Sequence, residues 1–549
     1  MQVRVAWRAC AVELTDWLLT PSERGNSATR LDSRRPDRAA WSQGNLVRPL
    51  IHGATYFREL LSAIRAQRAG DLLLFTDWRG DPDERLAGPG SEIGTVLCEA
   101  AERGVIVKGL VWRSHLDRFQ FSEAENRHLG EEIEAAGGEC LLDMRVRPGG
   151  SHHQKFVVLR HGDRPELDIA FAGCTDLCHN RHDDAAHRGD PQSQPIAAAY
   201  GQHPPWHDIQ LAIRGPAVGD IEAGFRERWD DPAPLSRSPL VRLRELAHHE
   251  DTRADPLPPQ APDPKPCGTH TVQVLRTYPN RLLRGYDFAP DGERSIAHGY
   301  RKALRRARAL IYLEDQYLWS AHVMECFAEA LTANPGLRLI AVIPSVPEQD
   351  GRLTLPMNLI GRITALDRLR RAGGGRVAVY GLENHAGTPV YVHAKACVID
   401  DVWASVGSDN INLRSWTHDS ELDCAVLDES RDPREPRDPG GLGDGARSYA
   451  RNLRLELSRE HLDMGEPETP HALDTLCDPV SAFDAFAASA AALDSWHETG
   501  RRGPRPPGRL RTCRPPSLSP AARALCTPVH RLLVDPDGRP LGLRRHNAY

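Results

Sequence analysis

The stretch His393-Ala-Lys395-Ala-Cys-Val-Ile399-Asp400 decides the fold of this 549-residue chain, because the first half holds a near copy, His153-Gln-Lys155-Phe-Val-Val-Leu159-Arg160. Each His-x-Lys enters an apolar run with strand character. The chain has 24 His but only five Lys (Lys108, Lys155, Lys265, Lys302 and Lys395) among 69 basic residues. So lysine-poor a composition predicts fewer than one His-x-Lys by chance, so an ammonium is needed at these two places. Lys offers a compact charge with rotatable donors, suited to a phosphate oxygen, where Arg offers a wider planar fork. Residues i and i+2 of a strand project to one face, so each His is expected beside its Lys.

The likeness spreads outward from the two pairs. A helical pattern over Tyr56 to Ile64 followed by Leu72-Leu-Leu-Phe75 matches Ile296 to Leu304 followed by Leu310-Ile-Tyr-Leu313. A second helix and strand follow in each half, Val96 to Trp112 against Val323 to Ile343. After each His-x-Lys comes a small-residue turn, Ala172-Gly-Cys174-Thr-Asp176 against Val406-Gly-Ser408-Asp-Asn410. Helices alternating with short apolar strands indicate an α/β fold, and the repeated order indicates duplication. The expected architecture is two halves, each a mainly β-sheet core flanked by helices, packed about a pseudo-twofold axis with the active site between them. The boundaries read as an N-terminal extension over 1–50, a first half over 51–250, a Pro-rich linker over 251–270, a second half over 271–499 and an Arg/Pro-rich tail over 500–549.

Composition narrows the function. The length suffices for two cores. A net charge of -6 gives no general attraction to nucleic acid. The apolar stretches fall short of the roughly 20 residues that a membrane span needs. Met1 to Leu19 is broken by Arg4, Arg8, Glu13 and Asp16 and does not read as a secretory signal. Free thiols for the twelve cysteines, and a cytoplasmic location with peripheral membrane contact, are therefore expected. Cys174, Cys178, His179 and His182 lack the second cysteine pair that would complete a zinc site. The tail reads as a partly disordered or surface-wrapping extension, with contact to anionic lipid headgroups as the alternative.

The second pair completes a pattern, His-x-Lys-x4-Asp, and other segments accompany it: Ser151-His-His-Gln-Lys155, Pro205-Trp-His-Asp208, Gly292-Glu-Arg-Ser-Ile296, Ile311-Tyr-Leu-Glu314-Asp-Gln316-Tyr317 and Asp419-Ser-Glu421. With these the chain resembles the phospholipase D superfamily, in its phospholipid-cleaving branch of bacterial type. The resemblance implies cleavage of a headgroup phosphodiester through a phosphohistidine, with His153 as nucleophile, His393 as acid and base, and Lys155 and Lys395 on the phosphate oxygens. It implies catalytic or supporting roles for Asp400 and Glu421, the latter as the acid behind His393. It also implies phosphate contacts from Ser408 and Asn410, with Asp176 at the repeat-equivalent of Asn410. Asp183 or Asp184 is the candidate acid behind His153. No cofactor and no metal are called for, and the partner is a phospholipid at a membrane surface, not nucleic acid. A monomer is expected, since one chain supplies both halves. A cardiolipin synthase-like phosphatidyltransferase, a nuclease and a non-catalytic scaffold are the alternatives; the last rests on Arg160 standing where the pattern has Asp.

The remaining residues have plainer readings. Trp206-His207-Asp208 reads as a strand entry with a buried Trp. Glu314 and Gln316 share one face of a strand and brace the catalytic residues. Trp78, Trp112 and Trp319 read as core or rim.

Overall fold

Apolar side chains alternate between two cores along the central strands, and this alternation builds the molecule. Described in this computed structural model are residues 13–114, 123–236, 238, 252–281, 285–348, 354–465, 473–514 and 518–549. The first sheet comprises β1 (Ser42–Ile51), β2 (Leu72–Asp77), β3 (Ile106–Trp112), β4 (Glu139–Asp143), β5 (Phe156–Arg160), β6 (Ile169–Gly173) and, after a short β7 (Trp206–His207), β8 (Ile209–Arg214). The second comprises β9 (His270–Tyr278), the short β10 (Glu293–Arg294), β11 (Leu310–Glu314), β12 (Arg338–Val342), β13 (Val377–Glu383), β14 (Pro389–Val392), β15 (Ala396–Ile399), β16 (Trp403–Gly407), β17 (Glu421–Asp428) and β18 (Leu510–Thr512).

The pairing order repeats strand for strand. The first sheet runs β1-β8-β6-β5-β2-β3-β4, antiparallel until β2 and parallel thereafter. The second runs β9-β17-β16-β15-β11-β12-β13 with the same switch at β11. The fold is α/β and internally duplicated. Antiparallel pairing of β1 with β9 joins the sheets.

Both faces of each sheet are covered, so the strands read as near-continuous apolar runs. Leu74, Val158, Tyr312 and Val398 face one cluster shared by the two sheets, which also takes Phe225 from the helix Ala217–Trp229 and Leu453 from the helix Ser448–His461. Leu73, Phe75 and Leu159 face the opposite way, against Phe57 and Leu60 of the helix Gly53–Arg65. Ile311, Leu313 and Ile399 do the same against Phe327 of the helix Ala321–Ala333.

Two stretches differ from their sequence reading. β1 begins inside the segment assigned to an N-terminal extension. The tail adds β18 to the edge of the second sheet, then a helix, Pro520–Val529, continued by one π-helical turn, His530–Val534. Asp535 secures it by accepting from the backbone N–H of Leu413 (2.7 Å) and Arg414 (3.0 Å).

Asp400 is structural. Its buried carboxylate accepts from the backbone N–H groups of Arg308, Ala309 and Leu310 at 2.7–2.8 Å, fixing the start of β11. Its fold partner Arg160 pairs instead with Asp168 (2.9 Å) and Glu222 (3.1 Å) and donates to the carbonyls of Ala261 and Pro262, tying down the Pro-rich segment. Asp168 also accepts from the His161 N–H at 2.6 Å. The substitution therefore leaves no gap. Asp400→Ala orphans buried donors that cost about 1–3 kcal/mol each. The expected result is a clear loss of stability in urea unfolding with turnover of the folded fraction unchanged; a large fall in turnover would return Asp400 to the site.

Candidate active site

The two His-x-Lys segments lie just ahead of β5 and β15 rather than within them. Each closes on itself in the same way. Lys155 Nζ donates to the carbonyl of His153 at 2.9 Å, and Lys395 Nζ to that of His393 at 2.5 Å. The lysine carbonyls then accept from Gly173 and Gly407, both at 3.3 Å. These glycines sit against Gln210 and Asp423, where an added Cβ would collide.

Each segment is held by the other sheet's half of the molecule. The His153 N–H donates to the carbonyl of Ser420 at 2.9 Å, and the His393 N–H to that of His207 at 2.8 Å. The next residue in each case supplies a carboxylate. His153 Nδ1 lies 2.8 Å from Glu421 Oε2, and His393 Nδ1 lies 3.0 Å from Asp208 Oδ2. Glu421 opens β17 and Asp208 precedes β8, and these are equivalent strands of the repeat. The supporting acids are thus exchanged between halves.

This corrects several readings. Glu421 serves His153, not His393. Asp183 accepts from the Trp206 N–H at 2.8 Å and Asp184 from the Ala186 N–H at 2.8 Å, and neither holds His153. Trp206-His207-Asp208 is more than a strand entry: Asp208 holds His393, and Trp206 lines the cleft. Ser408 donates to Glu421 Oε2 at 2.5 Å and accepts from the Leu422 N–H at 3.0 Å, so its hydroxyl positions Glu421. Glu314 bonds His207 (2.8 Å) and His461 (2.7 Å), and so reaches the site only through the His207–Asp208 segment.

Gln316 does reach a lysine: its Oε1 accepts from Lys395 Nζ at 3.1 Å, while its amide donates to Tyr391. Asp176 takes the matching place beside Lys155 at 3.2 Å and also binds Arg181 at 3.1 Å. Arg181 stacks over Trp206, 4.3 Å from the ring centre. Sequence reading missed Asp208 and Arg181. Aligning the strand that follows each small-residue turn would have paired Asp208 with Glu421.

His153 and His393 open on one cleft of about 390 Å³, whose walls include Trp78, Trp112, Trp206, Tyr317, Trp319 and Asn410. Trp78 stacks on Trp112 at 5.6 Å and Tyr317 on Trp319 at 3.8 Å. Leu533 and Val534 of the tail complete the rim. Asn410 Oδ1 has no hydrogen-bond partner among the described residues.

Burial, with Lys395 and Arg181 close by, pushes His393 down to about 3, so its imidazole is neutral in the free protein. Burial works against ionising Asp208, yet His393 and Lys395 hold it well below the ordinary carboxylate range. Desolvation likewise lowers Lys395. Two oriented imidazoles, two ammoniums and stacked aromatic walls suit in-line attack on an anionic phosphorus centre beside an apolar group.

The chain is similar to several known proteins. A family model described as phospholipase D matches residues 81–330. Phospholipase D alpha 1 of Cynara cardunculus is 26% identical over 499 residues, which cover 70% of this chain and 60% of that one. Phospholipase D alpha 1 of Arabidopsis thaliana is 25% identical over 560 residues, covering 79% of this chain and 66% of that one. The chain thus spans about 60% to two-thirds of the length of these two relatives. Among solved structures, phosphatidylserine synthase of Haemophilus influenzae superposes with a TM-score of 0.50 at 12% identity, over 81% of this chain and 94% of that one. At that identity the likeness concerns the fold.

Proposed function

Since the chain belongs to the phospholipase D superfamily, we propose that it is a phosphodiesterase cleaving the headgroup of a glycerophospholipid such as phosphatidylcholine. The observation that carries the reading is the pair of His–carboxylate couples facing one cleft, each with its lysine. His153, with Nδ1 held by Glu421, attacks phosphorus through Nε2. The bond to the headgroup oxygen breaks, and His393 gives that oxygen its proton. His393 then takes a proton from water, which displaces the phosphohistidine and releases phosphatidic acid. Lys155 and Lys395 offset charge on the equatorial oxygens. Because His393 is neutral in the free protein, this order requires it to gain a proton as the anionic phosphodiester arrives. Phosphorus trapped on His393 instead of His153 after rapid denaturant quench would reverse the two roles.

Incubation with phosphatidylcholine, with and without ethanol, tests the substrate class. Phosphatidic acid alone, and phosphatidylethanol when ethanol is present, are the expected products. Cleavage of DNA with phospholipid untouched would overturn the reading. Formation of cardiolipin from phosphatidylglycerol without phosphatidic acid would make the chain a phosphatidyltransferase.

No helix among the described residues is long and apolar enough to cross a membrane. Contact with the bilayer is assigned instead to the tail. Leu525, Leu532 and Leu533 recur at i, i+7 and i+8 along the helical run from Pro520 and are 74%, 73% and 64% exposed. Leu533 also stands at the cleft rim. Burying a Leu in an apolar phase is worth about 1.5–3 kcal/mol. Leu525→Ser with Leu532→Ser is therefore expected to weaken binding to phosphatidylcholine vesicles by at least about tenfold, while hydrolysis of a short-chain, monomeric substrate is retained. Equal binding by variant and wild type in a sedimentation assay would remove the tail from the interface.

A further inference from the structure

Four histidines and two glutamates gather in a buried cluster apart from the phosphate cleft. His52 lies between β1 and the helix Gly53–Arg65, His187 in the loop after β6, and His207 in β7. Glu460 and His461 end the helix Ser448–His461 from the second half of the chain, and Glu314 ends β11. Among the described residues, His52, His187, His207 and Glu460 bring one ligand atom each to within 4.8 Å of all the others.

We propose that His52, His187, His207 and Glu460 form a tetrahedral site for one divalent transition ion, zinc by its ligand set, that clamps the two halves together behind Asp208. The separations bracket those of a metal site, the four ligand atoms lying within 4.8 Å of one another. His52 Nε2 lies 2.8 Å from Glu460 Oε2, and His187 Nε2 and His207 Nδ1 lie 3.0 Å and 3.5 Å from Glu460 Oε1. A tetrahedron with zinc–ligand bonds of 2.0–2.1 Å places its ligand atoms about 3.3–3.4 Å apart. Three imidazoles with a carboxylate are ligands of intermediate softness that suit zinc.

The outer contacts point the same way. A metal-ligating histidine uses its other ring nitrogen to donate to a carbonyl or carboxylate, which fixes the tautomer. His187 Nδ1 faces the carbonyl of Trp206 at 3.0 Å, leaving Nε2 for the centre. His207 Nε2 faces Glu314 Oε2 at 2.8 Å, leaving Nδ1 for the centre, and Glu314 is itself held by His461. The three imidazoles also pack edge to face around one point, His187 lying 4.9 Å from His52 and 5.8 Å from His207, ring to ring.

The backbone has also been bent to bring His52 in. At φ 67° it occupies a left-handed conformation that a non-glycine residue adopts only when its surroundings enforce it. Its N–H donates to the carbonyl of Asp208 at 2.9 Å, and the His207 carbonyl accepts from the His393 N–H. The ion would therefore position the carboxylate behind His393 without touching phosphate, and the cleavage steps run through no metal. The repeat-equivalent of His207 is Ser420, so the arrangement is not repeated at the equivalent position behind Glu421.

Elemental analysis of the purified full chain, expressed with zinc in the medium, is expected to find one equivalent of zinc. X-ray absorption should show a shell of nitrogen and oxygen with imidazole scattering and no sulfur. His187→Ala and Glu460→Gln are expected to lose the ion, and Cys178→Ser to keep it. Glu314→Gln, which alters only an outer contact, should weaken zinc binding by about 10–100-fold in a chelator competition. Should the ligand variants fail to fold, the wild-type absorption spectrum and the Glu314→Gln competition decide. Wild-type protein that is metal-free as purified and takes up no zinc, cobalt or manganese after dialysis overturns the proposal. So does sulfur in the shell, or zinc retained in both ligand variants.

Discussion

His153→Asn and His393→Asn each lower kcat on phosphatidylcholine by about 10^4-fold or more, and the double variant falls no further. The expectation follows from geometry: both imidazoles open on one cleft, each with its Nδ1 held by a buried carboxylate and its lysine folded back beside it. Residues that serve one transition state are not additive, because removing either leaves the other with nothing to act upon. Both histidines are largely enclosed, so unchanged circular dichroism and an unchanged melting temperature must accompany the loss. A single variant retaining activity within about tenfold of wild type would break the shared-site reading.

Glu421→Gln and Asp208→Asn should each cost about 10^3–10^4-fold, as replacing the carboxylate that orients a catalytic imidazole does elsewhere. They differ in the step they damage, which makes the exchange of acids between halves testable. A phosphodiester with a p-nitrophenol leaving group needs no proton at departure, so the acid on the leaving-group side becomes dispensable in the first step. Asp208→Asn, acting through His393, is then expected to keep a burst of p-nitrophenol. Glu421→Gln, acting through His153, is expected to lose it. A burst that survives in Glu421→Gln and vanishes in Asp208→Asn would mean that the catalytic roles run the other way. Equal bursts in both would detach the carboxylates from their assigned histidines.

The cross-half contacts explain where sequence reading stopped. A signature read along the chain places Glu421 near His393, 28 residues upstream, and by the same logic offers Asp183 or Asp184 to His153. In the fold β17 pairs with β9 and begins at Glu421, next to the segment that carries His153. The same crossing brings β7 and Asp208 to His393 through the pairing of β7 with β14. Proximity along the chain was the wrong measure, because a pseudo-twofold assembly builds its site from the facing edges of two sheets. Ser408 misled for a related reason: its position after the turn is right, but its hydroxyl is engaged by Glu421 and Leu422.

The His52–His187–His207–Glu460 cluster was invisible for a similar reason. Its members span more than four hundred positions with no metal-type spacing, and they meet only where Glu460, at the end of the Ser448–His461 helix, reaches His52, His187 and His207. The tail shows the opposite limit. Its Arg and Pro content suggested a loose wrapping, yet three residues join β13 and the following turn reaches the cleft rim.

By itself the sequence determined the duplicated α/β plan and the two His-x-Lys pairs, since alternating apolar runs and a lysine retained in an arginine-rich chain are local and countable. Tertiary structure alone decided which carboxylate serves which histidine, which backbone groups Asp400 braces, and that four distant side chains meet behind Asp208. Those are outcomes of packing two sheets and their helices together, and the distances involved exist only once the chain has closed.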